Sequence, residues 1–417
     1  METRQTEVAA EVLNINNTFP SGRRRWEQTK DALTAGFDKP DIEAAQVLFA
    51  SVAAHRITDH PPAWNMLIAP SGSMKTALLN TLSGLPSIHT LDEVSENTFI
   101  SGMLDKNRAG KKTKTDQLPA SLLNRIGDEG ILIVPDFSTI LAMNKNKQPV
   151  ILSQLRRIYD GSFAREFGTA ENLADRKWQG RITLLAGVTP EFDKYHSVFQ
   201  SLGERFVRTR WPRAGGVDAA LRAMRQRTEE AEQTKAAVHT LLCPLMEAKS
   251  ISAPRMKEQD EIRLAHLGEL IVLGRAYVSR ERYTHDIEDA PDPEGNTRFP
   301  QQLAQIGRGW AALMGDDAVT EEGMKLIARV GFDCLPPRRG EVLKALMRGQ
   351  SPYSLKIANP VVDRAIGDLI EVGLAEKPDR GAKLSEQALR LLDGARMPGP
   401  WSISPQFLHE NGREYVN

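Results

Sequence analysis

Three short runs of mainly apolar residues stand out along the chain, Asn65 to Ala69, Gly130 to Pro135 and Ile182 to Val188. Runs of this length, without regular polar alternation, are the pattern of strands buried on both faces. Between them lie stretches whose apolar positions recur at helical spacing, Leu118 to Ile126 and Val150 to Tyr159. Strands alternating with amphipathic helices predict a parallel sheet with crossover helices over residues 46–214. SLGERFVRTRWPR adds a short strand after Arg205.

The period changes over residues 215–317. VDAALRAMRQRTEEAEQTKAAVHTLL and IRLAHLGELIVLGRAYVSRERY read as helices, interrupted by the turn-rich EDAPDPEGN, and predict an all-helical second domain. Residues 318–400 read as short helices followed by a wing. Val342, Leu343 and Leu346, then Val362, Ile366, Leu369 and Ile370, give two helices a buried face. Asn359 is expected to cap the second, with Pro360 at its first position and Gly373 at its end. LAEKPDRGAKLS then supplies two strands about a turn, so a winged helix-turn-helix is predicted. Residues 1–45 read as a polar helical arm with a solvated basic run, Arg23 to Arg25, and residues 401–417 as a tail.

Composition narrows the function classes. A chain of 417 residues exceeds one ordinary core. The formal net charge of zero removes any global argument for nucleic acid, so charge has to be read segment by segment. Cys243 and Cys334 are too few for a disulfide framework, and the eight histidines show no metal-ligand spacing. No apolar run is long enough to span a bilayer, and METRQTEVAAEV lacks a secretory pattern; the expectation is a cytoplasmic protein without membrane partners.

The candidate chemistry lies in WNMLIAPSGSMKTALLNTL. It reads as a strand, a small-residue loop and a helix, the construction of a phosphate-binding loop. Pro70, Ser71, Gly72, Ser73 and Met74 would form the turn, Lys75 would reach phosphates and the Thr76 hydroxyl would serve Mg2+. Both glycines of the G-x-x-x-x-G-K-[ST] template are replaced, by Ala69 and Met74. A side chain at position 74 is expected to crowd the nucleotide or force an unfavourable backbone angle. GILIVPDFSTIL ends its strand in Asp136, placed to hold Mg2+ through water beside Thr76, but Phe137 follows where a hydrolytic Glu often stands. Asp92 and Glu93 offer an acidic pair without a preceding apolar strand and read as surface residues.

RITLLAGVTP ends in Thr189 and Pro190, and Arg205 opens the next strand segment. This succession resembles the AAA+ ATPase core, in particular the MCM-like helicases and related ATPases of phages and mobile elements. The resemblance covers roughly residues 46–315. It implies an AAA+ parallel-sheet ATPase with a helical lid, binding ATP and Mg2+, assembled as a homo-oligomeric ring, expected to be a hexamer, and acting on DNA. Lys75 and Thr76 look like the Walker A pair, Asp136 like the Walker B acid, Thr189 like sensor 1 and Arg205 like an arginine finger. TRFPQQLAQIGRGWAALM looks like a lid helix carrying a sensor 2 arginine at Arg298. Plainer readings stand beside these: Thr189 closing a strand, Arg298 opening a helix, and Arg205, among Arg208, Arg210 and Arg213, as one of several solvated charges.

Candidate DNA contacts follow from local charge. LDKNRAGKKTKTDQLP carries Lys106, Arg108, Lys111, Lys112 and Lys114 in a loop that is either solvated or turned toward DNA. Ser162 to Phe167 against Lys177 to Thr183 reads as a hairpin, with Arg176 and Lys177 as DNA candidates by the resemblance. In the C-terminal region Lys356, Asn359, Arg364, Arg380 and Lys383 are the candidates, against which Asp363 and Asp368 count. Three functions fit: an ATP-dependent DNA motor or replication initiator, an ATPase regulator that assembles on DNA and recruits a partner, and a non-enzymatic DNA-binding protein with a degenerate loop.

Overall fold

The computed structural model describes residues 21–100, 121–144, 146–164, 177–195, 204–212, 215–225, 228–281, 286–289, 291–377 and 381–404. In chain order, α1 (Gly22–Gly36) and α2 (Ile42–Ala54) precede β1 (Trp64–Ile68), α3 (Lys75–Asn80) and β2 (Ile88–Thr90). Next come α4 (Leu122–Ile126), β3 (Glu129–Val134), α5 (Ser138–Leu141), α6 (Lys147–Tyr159), β4 (Ser162–Ala164), β5 (Lys177–Gln179), β6 (Arg181–Val188) and β7 (Phe206–Arg210). Helices α7 (Val217–Arg225), α8 (Thr228–Glu247), α9 (Glu258–Gly274) and α10 (Arg298–Met314) follow. The chain continues through α11 (Glu321–Asp333), α12 (Pro337–Met347), α13 (Asn359–Glu371), β8 (Ala375–Glu376), β9 (Lys383–Leu384) and α14 (Glu386–Ala395).

Five strands form one parallel sheet in the order β2-β3-β6-β1-β7. Both faces are covered, which is why the strands read as apolar runs. Met66, Ile68, Leu132, Val134, Leu184 and Ala186 face one core with α4, α5 and α6. Leu67, Ile131, Ile133, Leu185 and Val207, one residue out of phase, face a second core that runs from Trp26 to Met397. The helices before the sheet, the helical region and the C-terminal helices therefore share a single packed interior. No helix among the described residues is long and apolar enough to cross a membrane.

Several expectations need correction. Residues 22–36 are not a solvated arm: α1 buries Trp26 and Leu33, with Trp26 edge-on to Trp310 at 5.0 Å. Within the basic run Arg25 is buried, while Arg23 pairs with Asp316 at the surface. Helix α2 is continuous through the boundary expected at 45/46. A short strand, β2, does precede Asp92 and Glu93, though both carboxylates are exposed as expected. The antiparallel hairpin is confined, among the described residues, to β4 and β5, because Arg181 to Thr183 belong to β6 of the main sheet. Ala358, not Asn359, holds the cap position of α13. Pro360 accordingly stands second in the helix rather than first, and Ile370 is half-buried. Val342, Leu343, Leu346, Val362, Ile366 and Leu369 are buried as expected, Gly373 takes φ 75°, and β8 and β9 pair antiparallel.

Candidate functional site

The loop between β1 and α3 sits at the carboxyl end of the sheet, where ligands of parallel α/β sheets bind. Ser73 N–H donates to the Pro70 carbonyl at 3.2 Å and closes the turn. Gly72 has φ 76°, and Met74 has φ 60° and ψ 12°. Position 74 is thus left-handed, the conformation the template's glycine supplies without strain, and a methionine there costs roughly 1–2 kcal/mol. Local strain of this kind persists only when the surroundings enforce it. The Ser73 hydroxyl is buried and finds no hydrogen-bond partner among the described residues, a polar atom oriented within the loop without a protein acceptor or donor.

Lys75, the first residue of α3, is buried. Burial lowers its pKa below the ordinary 10.5, and the Asp136 carboxylate partly restores it, so the two groups are electrostatic neighbours. A glycine makes this approach feasible. A Cβ on Gly187 of β6 would lie 2.4 Å from the Pro135 carbonyl oxygen and 3.1 Å from Lys75 Cδ, so both the Lys75 stem and the start of the Asp136 turn rest against that backbone. Gly187 is not among the site residues expected from the sequence, although an isolated glycine inside an apolar strand marks a close backbone approach.

Asp136 is exposed and its Oδ1 accepts the Ser138 N–H at 3.0 Å, which orients the carboxylate at the strand end. Thr189 directly follows β6, the strand between those that carry the loop and Asp136. Its N–H donates to Ser138 Oγ at 3.3 Å and the two hydroxyls lie 3.5 Å apart. Lys75, Asp136 and Thr189 are therefore gathered at one edge, with Thr76 exposed beside them. Phe137 turns the other way. It is fully buried, packs at 5.8 Å against Phe206, and offers no group to a water molecule.

Arg205 and Arg298 are not part of that gathering. Arg205 precedes Phe206, whose partner in register is Trp64 at the start of β1. This is the amino end of the sheet, about 17 Å from the loop along a five-residue strand. There Arg205 makes a bidentate pair with Asp160 at 3.1 Å and lies 5.5 Å over the Tyr159 ring. Arg298 lies 5.9 Å over the same ring. Burial lowers the pKa of Arg205 and the Arg298 charge lowers it further, while Asp160 opposes both. Burial also pushes the Tyr159 phenol up to about 12, keeping it neutral between the two guanidiniums, and Gln302 bonds both the phenol and the Arg205 carbonyl. Arg208 and Arg210 are not solvated charges: Arg208 is 1% exposed, and both side chains bond carbonyls at the end of α11, Cys334 and Asp333.

Of the candidate DNA contacts, Lys106, Arg108, Lys111, Lys112, Lys114, Arg176 and Arg380 lie outside the described residues. Lys177 is exposed on β5, and Lys356, Asn359, Arg364 and Lys383 are exposed on and around α13 and β9. The two aspartates set against them are engaged within the protein. Asp368 receives Arg280 at 2.7 Å and Arg339 at 3.1 Å, and Asp363 accepts the Tyr353 hydroxyl at 2.6 Å. Lys383 is itself paired with Glu376 at 3.2 Å. Among the described residues no cluster of His, Cys, Asp and Glu is arranged to hold a metal on its own. No protein-family model matches the chain, and no curated protein matches it in sequence.

Proposed function

We propose that the protein is an AAA+-like ATPase of the MCM-like kind, using ATP to move along, melt or open DNA, with its C-terminal winged-helix region engaging the duplex. The observation that carries this reading is the convergence of Lys75, Asp136 and Thr189 on one end of a parallel sheet whose loop holds a left-handed residue at the template's glycine position. The residues fit Mg·ATP. Lys75 and the unsatisfied Ser73 hydroxyl suit phosphate oxygens, and Thr76 with Asp136 suits a hydrated Mg2+. Mg2+ would supply charge neutralisation at the phosphates. Lys75, already partly desolvated, adds a full positive charge where screening by water is reduced.

Arg205 cannot serve its own loop from the opposite end of the sheet, so in this reading it completes the site of a neighbouring copy in a ring, expected to be a hexamer. A titration of ATPase rate with single-stranded and duplex DNA tests the proposal. Turnover stimulated by DNA and abolished by Lys75→Ala supports it; a Lys75→Ala chain that binds fluorescent ATP as tightly as the parent refutes it.

A second reading is favoured by Phe137. With that side chain committed to the core, the position after Asp136 offers no base for water attack, which suits an ATPase that assembles on DNA and recruits a partner without unwinding. Nucleotide-dependent assembly with negligible turnover would select it.

A further inference from the structure

Two arginines of β7 tie the nucleotide end of the sheet to the start of the C-terminal region. Arg208 and Arg210 stand two residues apart and so project from the same face of the strand. Both reach the segment that joins α11 to α12. Arg208 Nη1 donates to the Cys334 carbonyl at 3.0 Å, Arg210 Nε to the Asp333 carbonyl at 3.0 Å, and Arg210 Nη2 to the Leu335 carbonyl at 3.3 Å. The Arg210 N–H adds a bond to Asp333 Oδ2 at 2.9 Å. Carbonyls at and beyond a helix end lack intrahelical partners, and here β7 supplies them. The path of the chain into α12 is therefore held by the sheet as well as by the Pro336–Pro337 pair that opens the helix.

The same guanidinium faces the candidate site. Arg210 Nη1 and Nη2 hold Asp193 in a bidentate pair at 2.9 and 2.8 Å. Asp193 lies four residues after Thr189, within the 3-10 turn Pro190–Tyr195 that leaves β6. The far end is braced: Arg329 of α11 donates to the Arg210 carbonyl at 2.9 Å and clamps Asp41 at 2.7 and 2.6 Å. One planar side chain thus bridges the turn after Thr189 and the Asp333 and Leu335 carbonyls at the entrance to the C-terminal helices, with Arg208 holding the Cys334 carbonyl between them.

We infer that Arg210, held by Asp193, is a positioning residue that couples the state of the Thr189 turn to the Asp333–Leu335 segment and so to the placement of the C-terminal helices. The inference rests on the ATPase reading, because it takes nucleotide as the agent that shifts the turn. A lysine in place of Arg210 keeps the charge but cannot span the carboxylate and the carbonyls together. Asp193→Asn keeps the shape and loses the paired charge.

Hydrogen exchange on the full chain, with and without Mg·ATP, tests the coupling, with fluorescent ATP binding measured in parallel. In the parent chain nucleotide should alter exchange over residues 333–347. Asp193→Asn and Arg210→Lys should each bind nucleotide and lose that change, and Asp193→Glu should restore it. Nucleotide binding with no change over 333–347 in the parent, or a change that persists in either variant, overturns the relay and leaves the ATPase reading standing. Failure of the parent to bind nucleotide overturns both.

Discussion

Lys75→Met separates the functional role of this lysine from any structural one. Lys75 is buried as a residue, at 8% exposure, and its electrostatic partner, Asp136, is exposed and already accepts the Ser138 N–H. The folded, nucleotide-free chain therefore carries a partly desolvated cation with weak compensation. A methionine has similar volume and no charge, so the variant should be more stable, by up to about 1 kcal/mol for a charge that is only partly desolvated. The pH dependence follows from linkage. Burial holds the folded-state pKa of Lys75 below 10.5, so between that lowered value and 10.5 the unfolded chain binds more protons and parent stability rises with pH. The advantage of methionine should be full at neutral pH and shrink as pH climbs through that window. Urea unfolding read as a shift of midpoint at constant slope gives the stability change. Fluorescent ATP should bind the variant at least about tenfold more weakly, the loss of one charge-assisted contact. A less stable Lys75→Met chain would refute the account of an uncompensated buried charge, and unchanged ATP affinity would refute the loop as a phosphate site.

Gly187→Ala should destabilise the chain by about 1–3 kcal/mol, because its Cβ has backbone oxygen on one side and the Lys75 stem on the other, and it should weaken nucleotide binding in the same titration. Met74→Gly should leave stability within about 1 kcal/mol, since relief of left-handed strain offsets lost packing and a more flexible unfolded chain, whereas Met74→Val should unfold at distinctly lower urea. Asp368→Ala should cost about 3–5 kcal/mol in thermal or urea unfolding by stranding the buried Arg339 guanidinium. Arg364→Ala in the full chain should lower the salt slope of DNA binding by about one unit if Arg364 meets a phosphate, and an unchanged slope would remove it from the interface.

The sheet was legible in the sequence because burial on both faces leaves nothing but apolar runs, and β1, β3 and β6 fall within a residue of their expected bounds. The loop was legible for a related reason: strand, small residues, Lys75 and Thr76 are local, and the strain expected at Met74 appears at φ 60°. Other features depended on distant partners. β2, with partly exposed residues, exists through its pairing with β3 and has too little pattern of its own. Strand order, which puts Thr189 between Lys75 and Asp136 and sends Arg205 and Arg298 to the opposite end, is decided by how crossovers pack. Phe137 looked like a missing base and proves to be core, a distinction made by side-chain direction after the strand ends. Arg208 and Arg210 looked like surface charge, as arginines on a short strand usually are. Arg208 is buried against the Glu204 carboxylate and the Cys334 carbonyl, and Arg210 is half-buried against the Asp333 and Leu335 carbonyls; these carbonyls lie more than a hundred residues away along the chain, a pairing that composition and periodicity do not encode.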